Sequence, residues 1–361
     1  MSVIVSRILT VLACVLAASG LVLVAGSLAF AHFDSPPASL KDPFPRIDGV
    51  SLEPELSPEG RQVVRFLVNR GESGRAVGAR LLEAGLIRNL NFWNLAGRFR
   101  GGQIKAGEYL IEIPTGQGRL RDILETGRDI LVRVTIPEGL TLRMTADLFE
   151  EAGIVPAEAF VRAASDRELL DLYGIPGTTM EGFLFPDTYL FPANFPAARV
   201  VKAMADNFFA RAAALNPKLA DMPAEELFSL VILASIVQKE YRVPEEAALM
   251  AGVFANRLRI GMALQSCATV VYVLTEELGR PHPNRIYYVD LEVRSPFNTY
   301  LRGGLPPAPI ASPGRIALAA ALEPAVNDFL FFRLINEATG RHQFSRTGIE
   351  HQRAGDLYRN W

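Results

Sequence analysis

One carboxylate sits where chemistry could be done. Residues 227–240 read LFSLVILASIVQKE. From Leu227 to Val237 there is no charge, and the only hydroxyls are Ser229 and Ser235; Gln238, Lys239 and Glu240 then arrive together. A helix made from that run is apolar on all sides and belongs at the centre of its domain. Glu240 falls in its last turn, where the carboxyl end of the helix dipole opposes a negative charge. Partial burial opposes it too. Both push the carboxyl toward its neutral form, and a neutral carboxylic acid near pH 7 can protonate a glycosidic oxygen. Taken alone, a glutamate at a helix end is more often solvated or paired with a neighbouring cation, here Lys239 or Arg242. Its surroundings must decide.

Other residues offer weaker chemistry. SPFNTYLRGGLPPAPIASPG (295–314) is dense in Asn, Thr, Tyr, Gly and Pro and reads as a long ordered loop. Asn298 and Thr299 can hydrogen-bond a hydroxylated ligand, and Tyr300 can stack on one. His342 and His351 flank Glu350, but their spacing is not the i, i+4 pattern of a helical zinc pair. Local structural hydrogen bonds suit them better. Ser295 and Ser312 lack the strand–turn–helix elbow of an activated serine.

The elements that must position these groups are legible in outline. Pro223, Glu225 and Glu226 suit the start of a helix running from about Ala224 to Tyr241. Pro244-Glu245-Glu246 opens a second helix, which reaches about Ile260 and stops at Gly261. Two earlier stretches resemble each other, FLVNRGESGRAVGARLLEAGLI (66–87) and VTIPEGLTLRMTADLFEEAGIV (134–155). Each predicts a strand, a glycine turn, an amphipathic helix and a glycine stop. The expected inner faces are Val77, Leu81 and Leu82 in the first and Met144, Leu148 and Phe149 in the second. Between them, Phe92 and Trp93 fall on a helix, where core packing is a more frequent role than stacking on sugars. Residues 155–220 read as mostly helical, interrupted by MEGFLFPDTYLFP (180–192), an extended, partly buried segment that shapes a cleft and contains Tyr189.

Composition narrows the class. The chain has 361 residues, 49% hydrophobic and 21% charged, with a net charge of −2, so no basic stripe points to nucleic acid. Two cysteines, Cys14 and Cys267, exclude a disulfide framework or a cysteine zinc site as the organising feature. Ile8 to Phe30 carries no charge and is long enough to span a bilayer. Arg7 precedes it, which sets residues 1–7 in the cytoplasm and the bulk of the chain outside. The rival is a signal peptide cut after Ala29-Phe30-Ala31; the length of the apolar run favours a retained anchor. Residues 31–60, rich in Pro, Ser and acid, read as a linker.

ILASIVQKE, NRLRIGMALQ, SPFNTY, GLPPAPIASPG and EGFLFPDTY, in one chain behind a single anchor, closely resemble the YceG-like endolytic murein transglycosylases. The resemblance is densest over 181–351. It implies an α+β protein: an inner-membrane anchor at 8–30, a LysM-like α/β module at 61–130, and a mixed α/β catalytic domain at 131–361 with a buried central helix bearing the catalytic Glu240. It implies peptidoglycan glycan strands as substrate and no cofactor or metal, with peptidoglycan synthases left open as partners. Such enzymes cut the β-1,4 bond after N-acetylmuramic acid without water, and its own 6-hydroxyl closes a 1,6-anhydro ring. That needs one carboxyl where ordinary glycosidases need two. Gln265, Asn298, Thr299, Tyr300 and Tyr189 are the candidate substrate contacts. Two departures stand out: Gln238, where members commonly have Glu, and Cys267, where they commonly have Asp. They keep a weak or inactive glycan-binding scaffold open as the alternative.

Overall fold

The computed structural model describes residues 34–35, 46–47, 50–51, 55–56, 61–127 and 130–358. The apolar run 8–30 lies outside them. Among the described residues no helix is long and apolar enough to cross a membrane. The chain divides into two compact units, Met1–Leu131 and Val132–Trp361, and is mixed α/β with small sheets.

In the first unit, β1 (Arg46–Ile47) pairs with β2 (Val50–Ser51), and β3 (Glu55–Leu56), β4 (Gln62–Val68) and β5 (Gly107–Glu112) form an antiparallel sheet. Alternation along β4 turns Val64, Phe66 and Val68 inward. Onto them pack α1 (Gly74–Glu83), α2 (Leu90–Arg100) and α3 (Gln117–Thr126). Trp93 is 1% exposed, its indole N–H donating to the Gly74 carbonyl at 2.8 Å. The fit under α1 is close: a Cβ on Gly78 would lie 2.3 Å from Trp93 Cδ1. Trp93 is therefore a core residue.

The second unit begins in the two-stranded sheet of β6 (Leu131–Thr135) and β7 (Thr188–Pro192). Between these strands come α4 (Leu142–Glu151), α5 (Ala157–Ala163) and α6 (Arg167–Leu172), and β7 is followed by α7 (Ala197–Leu215). The two similar stretches do adopt the same local form. Ser73 caps α1 by accepting the Ala76 N–H, and Thr141 caps α4 by accepting the Met144 N–H. Gly71 and Gly139 both take positive φ in the turn. The inner face of α4 differs from expectation. Leu142, Thr145, Ala146 and Phe149 are buried, while Met144 is 42% exposed. The buried stripe starts at the first helical residue, which rotates Met144 outward.

The long apolar run is α8 (Ala224–Glu240), buried at every position from Leu227 to Val237 except Ser229. Around it pack α9 (Ala247–Arg259), α10 (Cys267–Tyr272) and α11 (Arg315–Leu322). Pro244–Glu246, expected to open α9, forms a separate 3₁₀ turn before it. The Ser235 hydroxyl donates to the Ile232 carbonyl at 2.7 Å and accepts the Ile310 N–H at 3.0 Å, which ties the Pro-rich loop to the helix. A hairpin of β8 (Phe331–Asn336) and β9 (Arg341–Ser345) follows, with Leu334 opposite His342. The last helix is α12 (Gly348–Tyr358).

Candidate active site

Glu240 is the last residue of α8, where the chain turns extended at Tyr241. The residue is only partly covered, but its carboxyl is deep. The Ser266 hydroxyl donates to Glu240 Oε1, and the Ala268 backbone N–H also reaches the carboxyl. Burial pushes the Glu240 carboxyl above the usual range; the Ser266 hydrogen bond, the charges of His342 and Arg257, and the Ala268 N–H all pull against it. The balance is a carboxyl biased toward its protonated form, with donors in place for the ionised one.

Ser266 is held from two sides. Its N–H donates to Thr299 Oγ1 at 3.1 Å, and its carbonyl accepts the Thr269 hydroxyl at 2.8 Å. The Thr269 and Thr299 hydroxyls lie 2.9 Å apart. One residue earlier, Gln265 donates its N–H to the Thr299 carbonyl at 3.1 Å and has φ +49, in the left-handed region that a non-glycine residue rarely enters. Its side chain is exposed.

The candidate substrate contacts thus separate. Thr299 and Asn298 are 1% and 0% exposed. The Asn298 amide donates to the Leu291 and Val293 carbonyls at 2.9 and 2.8 Å, and its Oδ1 accepts the Tyr300 N–H at 2.9 Å. Both hold the loop from within. Tyr300, near enough to Glu240 to feel its charge, and Gln265, next in the chain to Ser266, keep accessible surface. Tyr300 OH lies 3.1 Å from Cys267 Sγ, and burial raises both the phenol and the thiol. Tyr189 stands elsewhere: it is 9% exposed, its hydroxyl donates to Phe185 O at 2.6 Å, and its ring stacks on Phe191.

Gln238 points away from this cluster, as two residues make about 200° of helix turn. Its Oε1 accepts the Gly314 N–H at 2.9 Å, and the neighbouring Lys239 Nζ donates to the Gly139 carbonyl at 3.0 Å.

Three contributors were missed in the sequence. Ser266 and Arg257 carried no local signal. Arg257 is 7% exposed and donates to the Leu330 and Leu264 carbonyls at 2.7 and 2.6 Å. The third is a second abnormal carboxyl, Glu181, within EGFLFPDTY. It is 4% exposed, and both its oxygens accept the Leu142 N–H that opens α4, at 3.0 and 2.9 Å. Burial pushes it up to about 8, and the charge of Glu276 adds to the rise. Its charge is not among those acting on Glu240.

A profile of the YceG-like family matches residues 66–356. The endolytic murein transglycosylase of Bacillus subtilis is 26% identical over 329 residues, covering 86% of this chain and 89% of that protein. The protein of the same name from Streptococcus pneumoniae D39 is 25% identical, and the match covers 82% of this chain but 59% of the pneumococcal protein. A crystal structure of a YceG-like protein from Listeria monocytogenes superposes with a TM-score of 0.55 at 27% identity, over 81% of this chain and 99% of that one.

Proposed function

Because the chain belongs to the YceG-like family, we propose that it is a murein transglycosylase with Glu240 as its single acid–base group. The observation that carries this reading is the Glu240 carboxyl itself, raised by burial yet met by the Ser266 hydroxyl and the Ala268 N–H. In the first half of the reaction, Glu240 gives its proton to the oxygen of a MurNAc-β-1,4-GlcNAc bond, and GlcNAc leaves as the free alcohol. In the second, the MurNAc 6-hydroxyl bonds to its own anomeric carbon while Glu240 takes the hydroxyl proton. The products are a 1,6-anhydro-MurNAc end and a regenerated acid. Gln265 and Tyr300 line the approach; Asn298 and Thr299 hold the loop that presents them. Acting within strands, the enzyme would terminate glycan growth outside the cytoplasm, tethered to the inner membrane by residues 8–30. Both departures from the family pattern are compatible with activity: Gln238 serves the Gly314 loop, and Cys267 contacts Tyr300.

The test is digestion of purified peptidoglycan with residues 32–361, followed by mass analysis of the new ends. Anhydro-muramoyl ends are expected, and Glu240→Gln should lower their rate by about 10²–10⁴, the usual weight of general acid–base action. Intact strands would favour a glycan-binding scaffold, and hydrated reducing ends a hydrolase.

A further inference from the structure

The chemistry above leaves unused a buried pair at the Glu240 end of α8. Glu246 Oε2 lies 2.8 Å from His342 Nδ1, and the two side chains are 8% and 6% exposed. Both Glu246 oxygens also accept the His342 backbone N–H at 3.2 Å. Phe332 meets the imidazole edge-on at 5.9 Å between centroids. A buried carboxylate is costly unless paired, and here one residue fixes both the backbone and the plane of the ring. Among the described residues no hydrogen bond reaches Nε2.

The hairpin carrying His342 is seated against the chain that leaves α8. A Cβ on Gly340 would lie 2.9 Å from Arg242 Cβ. Gly340 is two residues before His342, and Arg242 is two after Glu240. Arg257 completes the enclosure by bonding Leu330, just before the hairpin, and Leu264, just before Gln265. The charged and titratable groups around the Glu240 carboxyl are His342 from β9, Arg257 from α9, Cys267 from α10 and Tyr300 from the loop. Glu246 from the 3₁₀ turn bonds the ring and is not among the groups acting on Glu240 directly.

We propose that His342, aligned by Glu246, is a positioning residue for Glu240: its imidazolium steadies the carboxylate that remains after the glycosidic oxygen has taken the proton. That ionised state must then accept the proton of the attacking hydroxyl, so support for it belongs to the second half of the reaction. The proposal rests on the transglycosylase reading.

Two readouts on the full chain test it. The first is the titration of the Glu240 side-chain carbon by NMR in the parent, His342→Gln and Glu246→Gln, with Glu240→Gln to assign the signal. The second is the pH profile of anhydro-end formation in the same proteins. In His342→Gln, removal of a positive charge should raise the Glu240 midpoint, and the alkaline limb of kcat should move up with it. The plateau kcat should fall roughly tenfold, with KM close to parental, as for a group that acts after substrate is bound. Glu246→Gln should move the midpoint the same way by less, since Gln still accepts the ring N–H but no longer favours the charged ring; it carries the test should His342→Gln fold poorly. A Glu240 midpoint unchanged in a folded variant of the pair overturns the proposal. The midpoint reports on the ring whether or not the parent cleaves peptidoglycan, so absence of anhydro ends counts against the reaction and an unmoved midpoint against His342.

Discussion

Among the described residues two glutamates are pushed upward by burial, and they differ in what surrounds them. Glu240 meets a side-chain hydroxyl, a backbone N–H and two cationic residues, and can exist in either protonation state. Glu181 meets the backbone N–H groups of Leu142 and Gly182 and the charge of Lys239, but no side-chain hydroxyl, and the charge of Glu276 opposes its ionisation. Its carboxyl titrates near 8 in the fold against 4.5 without it. Between those values the folded chain holds a proton that the unfolded chain has lost, so stability falls as pH rises. The stabilising contribution is complete below about 4.5 and gone above about 8. Glu181→Gln removes the titration, and denaturant unfolding across that window should show a flatter dependence on pH than the parent. An identical slope would mean that Glu181 is ionised in the fold. Glu240 was legible in the sequence because a charge at the end of an unbroken apolar run is conspicuous. Ser266, Arg257 and the Glu246–His342 pair were not. Ser266 reaches Glu240 across 26 positions, Arg257 reaches Leu330 across 73 and Glu246 reaches His342 across 96, and no periodicity records such pairings.

At the scale of elements, strands, helices and their glycine stops followed from local rules, and both similar stretches carry the expected glycine turns and stops. The long loop was recognised as ordered, but not the means of its order. Side chains there looked like ligands for a sugar, yet Asn298 makes three hydrogen bonds to its own backbone surroundings. Composition cannot distinguish an amide turned outward from one turned in. Asn298→Ala removes the acceptor for Tyr300 N–H and both donors to the Leu291 and Val293 carbonyls. A loss of about 1–3 kcal/mol in unfolding free energy is expected where buried partners are left unmet. Anhydro-end formation should fall with it, since Tyr300 and Thr299 lose their support. Parental stability and turnover together would show that the loop holds its shape without this staple.

At the scale of the molecule, each unit has its own hydrophobic cluster. That of the second contains α8, the inner face of α4 and the aromatic group of Phe183, Phe208 and Phe228, whose rings pack 5.1 to 6.0 Å apart. Residues 131–361, which keep β6 whole, should therefore unfold in one cooperative transition and retain cleavage of short soluble glycans. A broad, non-cooperative unfolding curve would show that this unit needs the rest of the chain. The central helix also bears on how such a sequence can drift over generations. A segment with an outward face accumulates neutral changes there, whereas α8 offers only Ser229 between Leu227 and Val237. Its other positions can exchange one apolar residue for another only at nearly constant volume. Descent should therefore funnel substitutions in that run to a single site, and leave the rest as the slowest-moving stretch of the lineage.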